Sequence, residues 1–175
     1  MKNFYIRKAL QKDVNEIHQI QMRSYDEKLV EDLSVFSYVV SFGNSYVAVE
    51  KTSNKLIGYI LTHASKQDQI QALNTSPNLD SSVESMWDCT FIHDLCVLFQ
   101  YRNIGIGTTL YKTMKANLNG IHYIRYIQLI AINPEAIVFW KKIGFVVKRN
   151  IGLIEITYSD ELGYGSHSAL MEHAI

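Results

Sequence analysis

A short run between a β-rich segment and a helical one has the composition of a phosphate-binding loop. It extends from Gln100 to Thr108 and places Arg102, Gly105 and Gly107 at the junction. Glycines carry no side chain, so the backbone N–H groups around them can close tightly on an anion. A helix that starts at this point adds a partial positive charge directed at the same ligand. The run therefore favours a pyrophosphate, although two glycines at this spacing also serve ordinary strand-to-helix turns.

His93 is a candidate for proton transfer in the β-rich segment that precedes this run. Alternation along a strand puts Phe91, His93, Leu95 and Val97 on one face and turns Asp94 to the other. An imidazole with an ordinary pKa of about 6.5 can accept a proton near neutral pH, although a half-buried structural histidine would fit the same position. Asp94 is expected to tether a helix or a loop rather than to contact a substrate.

The elements that must position these residues alternate between β-rich and helical segments. Asp13 is expected to cap the first helix with Glu16 completing a capping box, Pro134 to open the last helix and Gly144 to end it. The polar stretch 65–85 is expected to be a long loop, and a strand, a helix and a strand in succession imply two parallel neighbours. Strand patterns occur at 4–7, 45–50, 56–61, 90–98, 124–132, 145–147 and 153–158, and helical patterns from 13 onward and at 27–40, 105–117 and 134–144.

The composition limits the classes of partner. The 175 residues and 47% apolar content suffice for one core, so a single domain over 1–175 is expected. Lys plus Arg equals Asp plus Glu at 17 each, so the chain lacks the net positive charge that favours nucleic acids and anionic membranes. It has no apolar run of signal-peptide length or of the ~20 residues that span a bilayer. Cys89 and Cys96 are its only cysteines and are expected to be reduced packing residues. We expect a cytoplasmic protein that binds neither nucleic acid nor membrane.

Two separated motifs resemble those of the GNAT superfamily of acyl-CoA-dependent N-acetyltransferases. The first is Arg or Gln, two residues, Gly, one residue, then Gly or Ala, which the run from Arg102 to Gly107 satisfies. The second is Asn, two residues, Ala, three residues, an aromatic and soon Gly-Phe, which is matched by Asn133, Ala136, Trp140, Gly144 and Phe145. The resemblance implies an α/β (α+β) fold: one GNAT-like domain with a mixed, mostly antiparallel sheet of six to seven strands, splayed between strands 4 and 5 and flanked by about four helices.

The same resemblance implies acetyl-CoA as co-substrate and no metal. The pantetheine arm would pair with backbone groups of Leu95, Cys96 and Val97 in the manner of an added strand, and an N–H near Leu95 would face the acyl oxygen. Asn133 would steady the arm from the other side, and Phe139 and Trp140 would lie on the cofactor side. The pyrophosphate would be bound by backbone N–H groups of the loop residues, with the Thr108 hydroxyl as an extra donor: Tyr101, Arg102, Asn103, Ile104, Gly105, Ile106, Gly107 and Thr108.

Proton transfer is only partly assigned by the resemblance. An alkylammonium with a pKa of roughly 10 must lose a proton before it attacks a thioester, and several GNAT enzymes carry a His or Glu on the face of the strand where His93 lies. Many members protonate the departing thiolate with a tyrosine at the place of Trp140, but an indole N–H only donates hydrogen bonds and cannot take that role. Tyr123, Tyr164 or a water could serve instead, and the acid is left unassigned. Tyr164 is a catalytic candidate because the resemblance suggests that it folds back toward the acceptor site; it could equally belong to a surface tail.

The expected function is acetyl transfer to an amine, either a small molecule or an N-terminal amine, by direct attack in a ternary complex. The alternative is a catalytically silent acyl-CoA-binding module, and a P-loop nucleotide binder is disfavoured because no Lys-Ser or Lys-Thr pair follows the glycines. Tyr25, His63 and Trp87 could line the acceptor pocket or belong to the core. A homodimer could form by pairing of the strand expected at 153–158.

Overall fold

The computed structural model describes residues 3–70, 87–118, 121–150 and 168–175. Several expectations lie outside these ranges: Tyr164, the strand at 153–158 with its dimer contact, and most of the loop at 65–85.

The described residues contain a seven-stranded mixed sheet and four α-helices. The sheet order is β1-β2-β3-β4-β5-β7-β6. β4 and β5 pair in parallel, whereas β1 with β2, β2 with β3, β5 with β7 and β6 with β7 pair antiparallel, which confirms the mixed, mostly antiparallel sheet. No described helix is long and apolar enough to cross a membrane. The strands are β1 (Phe4–Lys8), β2 (Tyr46–Glu50), β3 (Leu56–Ser65), β4 (Cys89–Val97), β5 (Tyr126–Ala131), β6 (Val146–Asn150) and β7 (Ala169–Ala174); the helices are α1 (Val14–Ser24), α2 (Leu33–Ser41), α3 (Ile106–Ala116) and α4 (Pro134–Ile143).

The chain forms two compact units, and β4 contributes to both. The first unit comprises Met1–His63 and His93–Ile121, and the second comprises Ala64–Ile92 and His122–Ile175. The parallel pairing of β4 with β5 belongs to the second unit and extends from Cys89 opposite Tyr126 to Ile92 opposite Leu129. The splay between these two strands stays a prediction, as does a single domain over 1–175.

The core of the first unit lies between α1, α2 and the strands β2 and β3. Apolar residues of α1 and α2 recur at helical spacing and face inward. Each fully buried aliphatic or aromatic side chain contributes about 1.5–3 kcal/mol relative to an exposed one. This core comprises Ala9, Val14, Ile17, Ile20, Val35, Phe36, Val39, Val40, Val47, Val49, Leu56, Tyr59, Leu61 and Cys96.

The start of α1 differs from the expected capping box. A 3-10 turn over Gln11–Asp13 extends the helical run backward, so Asp13 has helical dihedral angles, and its side chain makes no capping bond to α1. Its carboxylate instead accepts two bonds from the Arg7 guanidinium, at 2.6 and 2.9 Å, and one from the N–H of Leu10 at 2.8 Å. Burial alone would raise the pKa of Asp13, but the Arg7 and Leu10 hydrogen bonds and the positive charges of Arg7 and Lys12 together outweigh burial and lower it. Glu16, the expected capping partner, accepts from the backbone N–H of Leu56.

Both ends of α4 agree with the sequence patterns. Asn133 caps the helix by accepting from the N–H of Ala136 at 2.8 Å, and Pro134 follows as its first residue. Gly144 ends the helix with a φ of +113°, a left-handed conformation that glycine adopts without strain. The rings of Trp140 and Phe145 then meet edge to face at 5.0 Å.

β7 lies in a segment to which the sequence patterns assign no strand. It pairs antiparallel with β5 on one side and with β6 on the other. Its residues Ala169, Leu170, Met171 and Glu172 are all buried, so the apolar–polar alternation of a strand with one solvated face is missing. That is why the period-two pattern failed to find it.

Gly58 provides a test of the packing between β3 and β4 in the first unit. A Cβ at this position would stand 2.8 Å from the carbonyl oxygen of Cys96, and backbone atoms cannot move aside as a flexible side chain can. We expect Gly58→Ala to lower the free energy of unfolding by about 1–3 kcal/mol in urea titrations. The exposed helix substitution Gln19→Ala should change it by less than about 0.5 kcal/mol. Equal stability of the two variants would contradict the close approach of these strands.

Candidate active site

His93 on β4 forms a buried pair with Glu31, which lies between α1 and α2. The Nε2 atom of His93 is 2.9 Å from Oε2 of Glu31, and the two side chains are 7% and 3% exposed. Burial alone would lower the pKa of His93, but the hydrogen bond and charge of Glu31, with a smaller effect of Asp94, raise it above the ordinary value of 6.5. A histidine beside a carboxylate can take a proton from a third group and hold it, so the pair is suited to general base chemistry.

Glu31 is the functional candidate that the sequence reading missed. It stands in an irregular segment between the 3-10 turn Glu27–Leu29 and α2, and it is 62 residues from its partner. No periodicity or motif distinguishes it from the acidic residues Glu27 and Asp32 nearby. Its burial, which only tertiary structure can reveal, sets it apart. The ring of His63 lies edge to face with that of His93 at 5.9 Å, so it too belongs to this neighbourhood.

Asp94 ties β4 to α1 and β3, as its predicted tethering role requires. Its carboxylate accepts from the hydroxyl of Tyr25 at 2.6 Å, from that of Tyr59 at 2.5 Å and from Nε2 of Gln21 at 3.3 Å. Burial raises the pKa of Asp94, and the two tyrosine bonds oppose that rise only in part. Burial and then the Asp94 charge raise the pKa of both tyrosines well above the usual range, so both remain donors. Tyr25 is therefore part of a buried polar cluster.

The loop before α3 has the backbone geometry of an anion site. Gly105 precedes the helix with a φ of +85°, and Asn103 has a φ of +63°, so the chain turns sharply into α3. The first helical bond runs from the N–H of Thr109 to the carbonyl of Gly105 at 3.0 Å. By helix geometry, the N–H groups of Ile106, Gly107 and Thr108 have no carbonyl partner within α3 and point out of its N-terminus.

Side chains of this loop brace it against the rest of the first unit. Nε of Arg102 donates to the carbonyl of Val97 at 3.0 Å, and its guanidinium lies over the ring of Phe99. The hydroxyl of Tyr101 donates to Glu50 on β2 at 2.9 Å. These contacts leave backbone amides as the main feature that the loop offers to a ligand.

The predicted site residues are divided between the two units. The first unit holds His93, the β4 residues Leu95 to Val97 and the loop from Tyr101 to Thr108, and the second holds Asn133, Phe139 and Trp140. Burial raises the pKa of the Cys96 thiol to about 12, so this cysteine is not a nucleophile and could contribute only backbone groups. Asn133 uses its side-chain oxygen in the α4 cap. The cofactor roles of all these residues stay predictions, and Tyr164 lies outside the described residues.

Removal of one donor from Asp94 gives a pH-dependent stability test. Tyr59→Phe deletes the 2.5 Å bond to the ionised carboxylate and should lower the free energy of unfolding by about 1–3 kcal/mol. The loss should be full at alkaline pH and should shrink as the pH falls through the raised pKa of Asp94, because the protonated carboxyl needs this donor less. Tyr46→Phe, which deletes only a 3.4 Å contact with Asn44, is the matched control. A pH-independent loss would contradict an ionised Asp94.

Comparisons with known proteins identify the family to which the chain belongs. The model of the acetyltransferase (GNAT) family matches residues 11–145, a range that includes His93, the loop before α3 and the start of α4. A comparison with curated protein sequences finds no match.

Solved structures share the fold over nearly the whole chain. Arabidopsis thaliana NAA60 in complex with a bisubstrate analogue is 22% identical, with 98% of this chain and 99% of that chain covered and a TM-score of 0.72. Arabidopsis thaliana Naa50 in complex with the bisubstrate analogue CoA-Ac-MVNAL is 17% identical, with 99% and 100% covered and a TM-score of 0.70. Mosquito arylalkylamine N-acetyltransferase like 5b is 14% identical, with 98% and 100% covered and a TM-score of 0.69. These identities establish the fold alone, and the family match over 11–145 shows that the chain belongs to the acetyltransferase (GNAT) family of acetyl-CoA-dependent acyltransferases.

Proposed function

We propose that this protein moves the acetyl group of acetyl-CoA to a primary amine by direct attack in a ternary complex, with His93 as the proton acceptor. The observation that carries the proposal is the buried pair of His93 and Glu31. His93 lies on β4, the strand that leads into the loop before α3. Family membership supplies the acyl donor. His93 supplies the group that a protonated amine needs, because the amine cannot attack until its proton is removed.

The protein groups that take part in the chemical steps, His93 and the backbone of β4 near Leu95, both belong to the first unit. The amine proton passes to the imidazole of His93, and the amine nitrogen forms a bond to the thioester carbon. The resulting oxyanion is stabilised by a backbone N–H of β4 near Leu95. The attacking nitrogen then loses its remaining extra proton to water, and collapse of the oxyanion breaks the C–S bond and releases CoA as a thiolate, a tolerable leaving group because a thiol pKa is about 8.5. Trp140 cannot supply an acid for this step, and the group that protonates the thiolate is unassigned.

Acetyl-CoA would be held chiefly by main-chain groups. The N–H groups of Ile106, Gly107 and Thr108 at the start of α3 would bind the pyrophosphate, supported by the positive end of the helix. Backbone groups of Leu95 to Val97 would pair with the amides of the pantetheine arm. The left-handed Gly105 supports this placement, because it turns the chain so that these N–H groups converge.

The acceptor is proposed as a primary amine, either the N-terminus of a peptide or a small molecule. The solved structures that share the fold include one with a peptide-bearing CoA analogue and one of an arylalkylamine N-acetyltransferase-like protein, so both classes belong in a first panel. We expect a coupled thiol-release assay over peptides and small primary amines to show CoA release that matches acetylated product by mass spectrometry. Tight acetyl-CoA binding with no turnover above hydrolysis would instead favour a silent acyl-CoA-binding module.

Gly107→Val tests the pyrophosphate loop. Gly107 is the second residue of α3, so valine can adopt its backbone conformation, but the branched side chain should block the approach of the phosphates. We expect CoA affinity measured by calorimetry to fall at least ~thirtyfold, or about 2 kcal/mol, with folding intact. Ala116→Val at the exposed end of the same helix controls for adding a β-branched residue and should leave the affinity unchanged. Unchanged CoA affinity in folded Gly107→Val would remove this loop from the cofactor site.

His93→Gln tests the proton acceptor. Turnover should fall roughly 100-fold to 10,000-fold while CoA affinity is kept. Because the pKa of His93 is raised, wild-type kcat/KM should rise with pH along an acidic limb that lies above 6.5, and this limb should vanish in the variant. His122→Gln, which alters an exposed histidine, should keep both the turnover and the acidic limb of the kcat/KM profile. Wild-type turnover with an intact limb in His93→Gln would assign proton removal to another group or to water.

A further inference from the structure

Both backbone polar groups of Glu31 are held by side chains of α1. Oε1 of Gln21 accepts from the N–H of Glu31 at 3.0 Å, and Nε2 of His18 donates to the carbonyl of Glu31 at 2.8 Å. His18 and Gln21 are three residues apart and therefore share one face of the helix. We call these two residues the α1 clamp. The α1 clamp gives both backbone polar groups of Glu31 a hydrogen-bond partner, as a helix or a strand would.

The α1 clamp also reaches the strand that carries His93. Gln21 is 1% exposed, and its Nε2 donates to Oδ2 of Asp94, the residue next to His93 in β4. A carbonyl oxygen that accepts and an amide nitrogen that donates fix the orientation of the Gln21 side chain. The contacts close a ring through Glu31, Gln21, Asp94 and His93, so α1 sets the position of Glu31 relative to the imidazole.

We propose that Glu31 is a positioning residue, whose carboxylate accepts the Nε2–H of His93 and thereby leaves Nδ1 as the atom that accepts the proton of the amine. This inference rests on the proposed function, in which His93 is the base.

The chemistry follows from the tautomers of imidazole. A neutral imidazole carries one N–H, and an ionised carboxylate 2.9 Å from Nε2 favours the tautomer with the proton on that atom. The lone pair then resides on Nδ1, which takes the proton from the amine, and the imidazolium is stabilised by Glu31 until it releases that proton to solvent. The charges of Glu31, from the α1–α2 connection, and to a smaller extent of Asp94, the next residue of β4, both favour the imidazolium. Another titratable group beside His93 is His63 on β3, whose ring centroid lies 5.9 Å away.

The α1 clamp serves both the structure and the position of Glu31. It gives partners to backbone groups of Glu31 that burial would otherwise leave unpaired. A buried ion pair contributes little to stability compared with well-packed apolar side chains of the same volume, so stability alone does not account for a carboxylate beside His93. Because both backbone groups of Glu31 are held, its carboxylate keeps a fixed place beside the imidazole, as catalysis requires.

The tautomer can be read directly by NMR on the wild-type chain, so the test does not depend on the folding of a variant. Long-range proton–nitrogen correlation spectra of ¹⁵N-labelled protein should show the neutral form of His93 with its proton on Nε2. Glu31→Gln removes the charge but keeps an amide oxygen of similar size. It should lower the pKa of His93, move the acidic limb of kcat/KM to lower pH and reduce kcat roughly tenfold to a hundredfold. Glu27→Gln neutralises an exposed carboxylate of the same connection and should change none of these.

Gln21→Met tests the α1 clamp without removing the charge. It should lower kcat and the pKa of His93 while the KM for acetyl-CoA stays unchanged, because Glu31 keeps its carboxylate but its backbone N–H loses the acceptor that fixes its position. A wild-type His93 with its neutral-state proton on Nδ1, or a His93 pKa that Glu31→Gln leaves unchanged, would overturn the proposal. If tautomer and pKa respond as expected while His93→Gln keeps full turnover, the tautomer control by Glu31 stands and the assignment of His93 as base fails.

Discussion

The buried carboxylate of Asp94 is the constraint on which the arrangement of the first unit depends. An ionised carboxylate taken out of water must be satisfied by several donors, because each missing one costs about 1–3 kcal/mol. Those donors come from α1, from the residue that ends it and from β3, namely Gln21, Tyr25 and Tyr59. Helix, strand and β4 must therefore meet at one point. With Asp94 directed into this cluster, alternation along β4 turns its neighbour His93 the other way, toward Glu31.

The two carboxylates beside His93 have different roles. Asp94 receives neutral hydroxyl and amide donors, so its charge is held by groups that do not titrate near neutral pH. Glu31 meets an imidazole, whose charge can change in that range. Gln21 connects the two by binding the backbone of Glu31 and the side chain of Asp94. The unit thus combines a fixed polar cluster, which locates β4, with a titrating pair that is suited to proton transfer. The pyrophosphate site proposed for the loop before α3 uses main-chain groups and needs no titrating residue.

Turns and helix ends that depend on neighbouring residues could be predicted from the sequence. Contacts between residues far apart in the chain could not. The turn at Gly105 before α3 and the two ends of α4, at Asn133–Pro134 and at Gly144, follow from backbone rules that involve neighbouring residues only. The prediction that Asp13 caps α1 was wrong, because the sequence around Asp13 does not show that its carboxylate accepts hydrogen bonds from Arg7 instead. β7 was missed because its first four residues are all buried, so the strand shows no apolar–polar alternation. In the sequence, Glu31 cannot be distinguished from other acidic residues in loops. Only the fold shows that it is buried against His93, which is 62 residues away.

The most direct measurement is a crystal structure of the protein with a bisubstrate analogue that joins CoA through an acetyl group to an accepted amine. We expect the pyrophosphate oxygens to bind the N–H groups of Ile106, Gly107 and Thr108. We also expect the nitrogen of the amine to lie within about 3 Å of Nδ1 of His93, or one water away, with Nε2 still bonded to Glu31. A pyrophosphate bound elsewhere, or an amine nitrogen beyond the reach of a bridging water from His93, would contradict the proposed site and the role of His93.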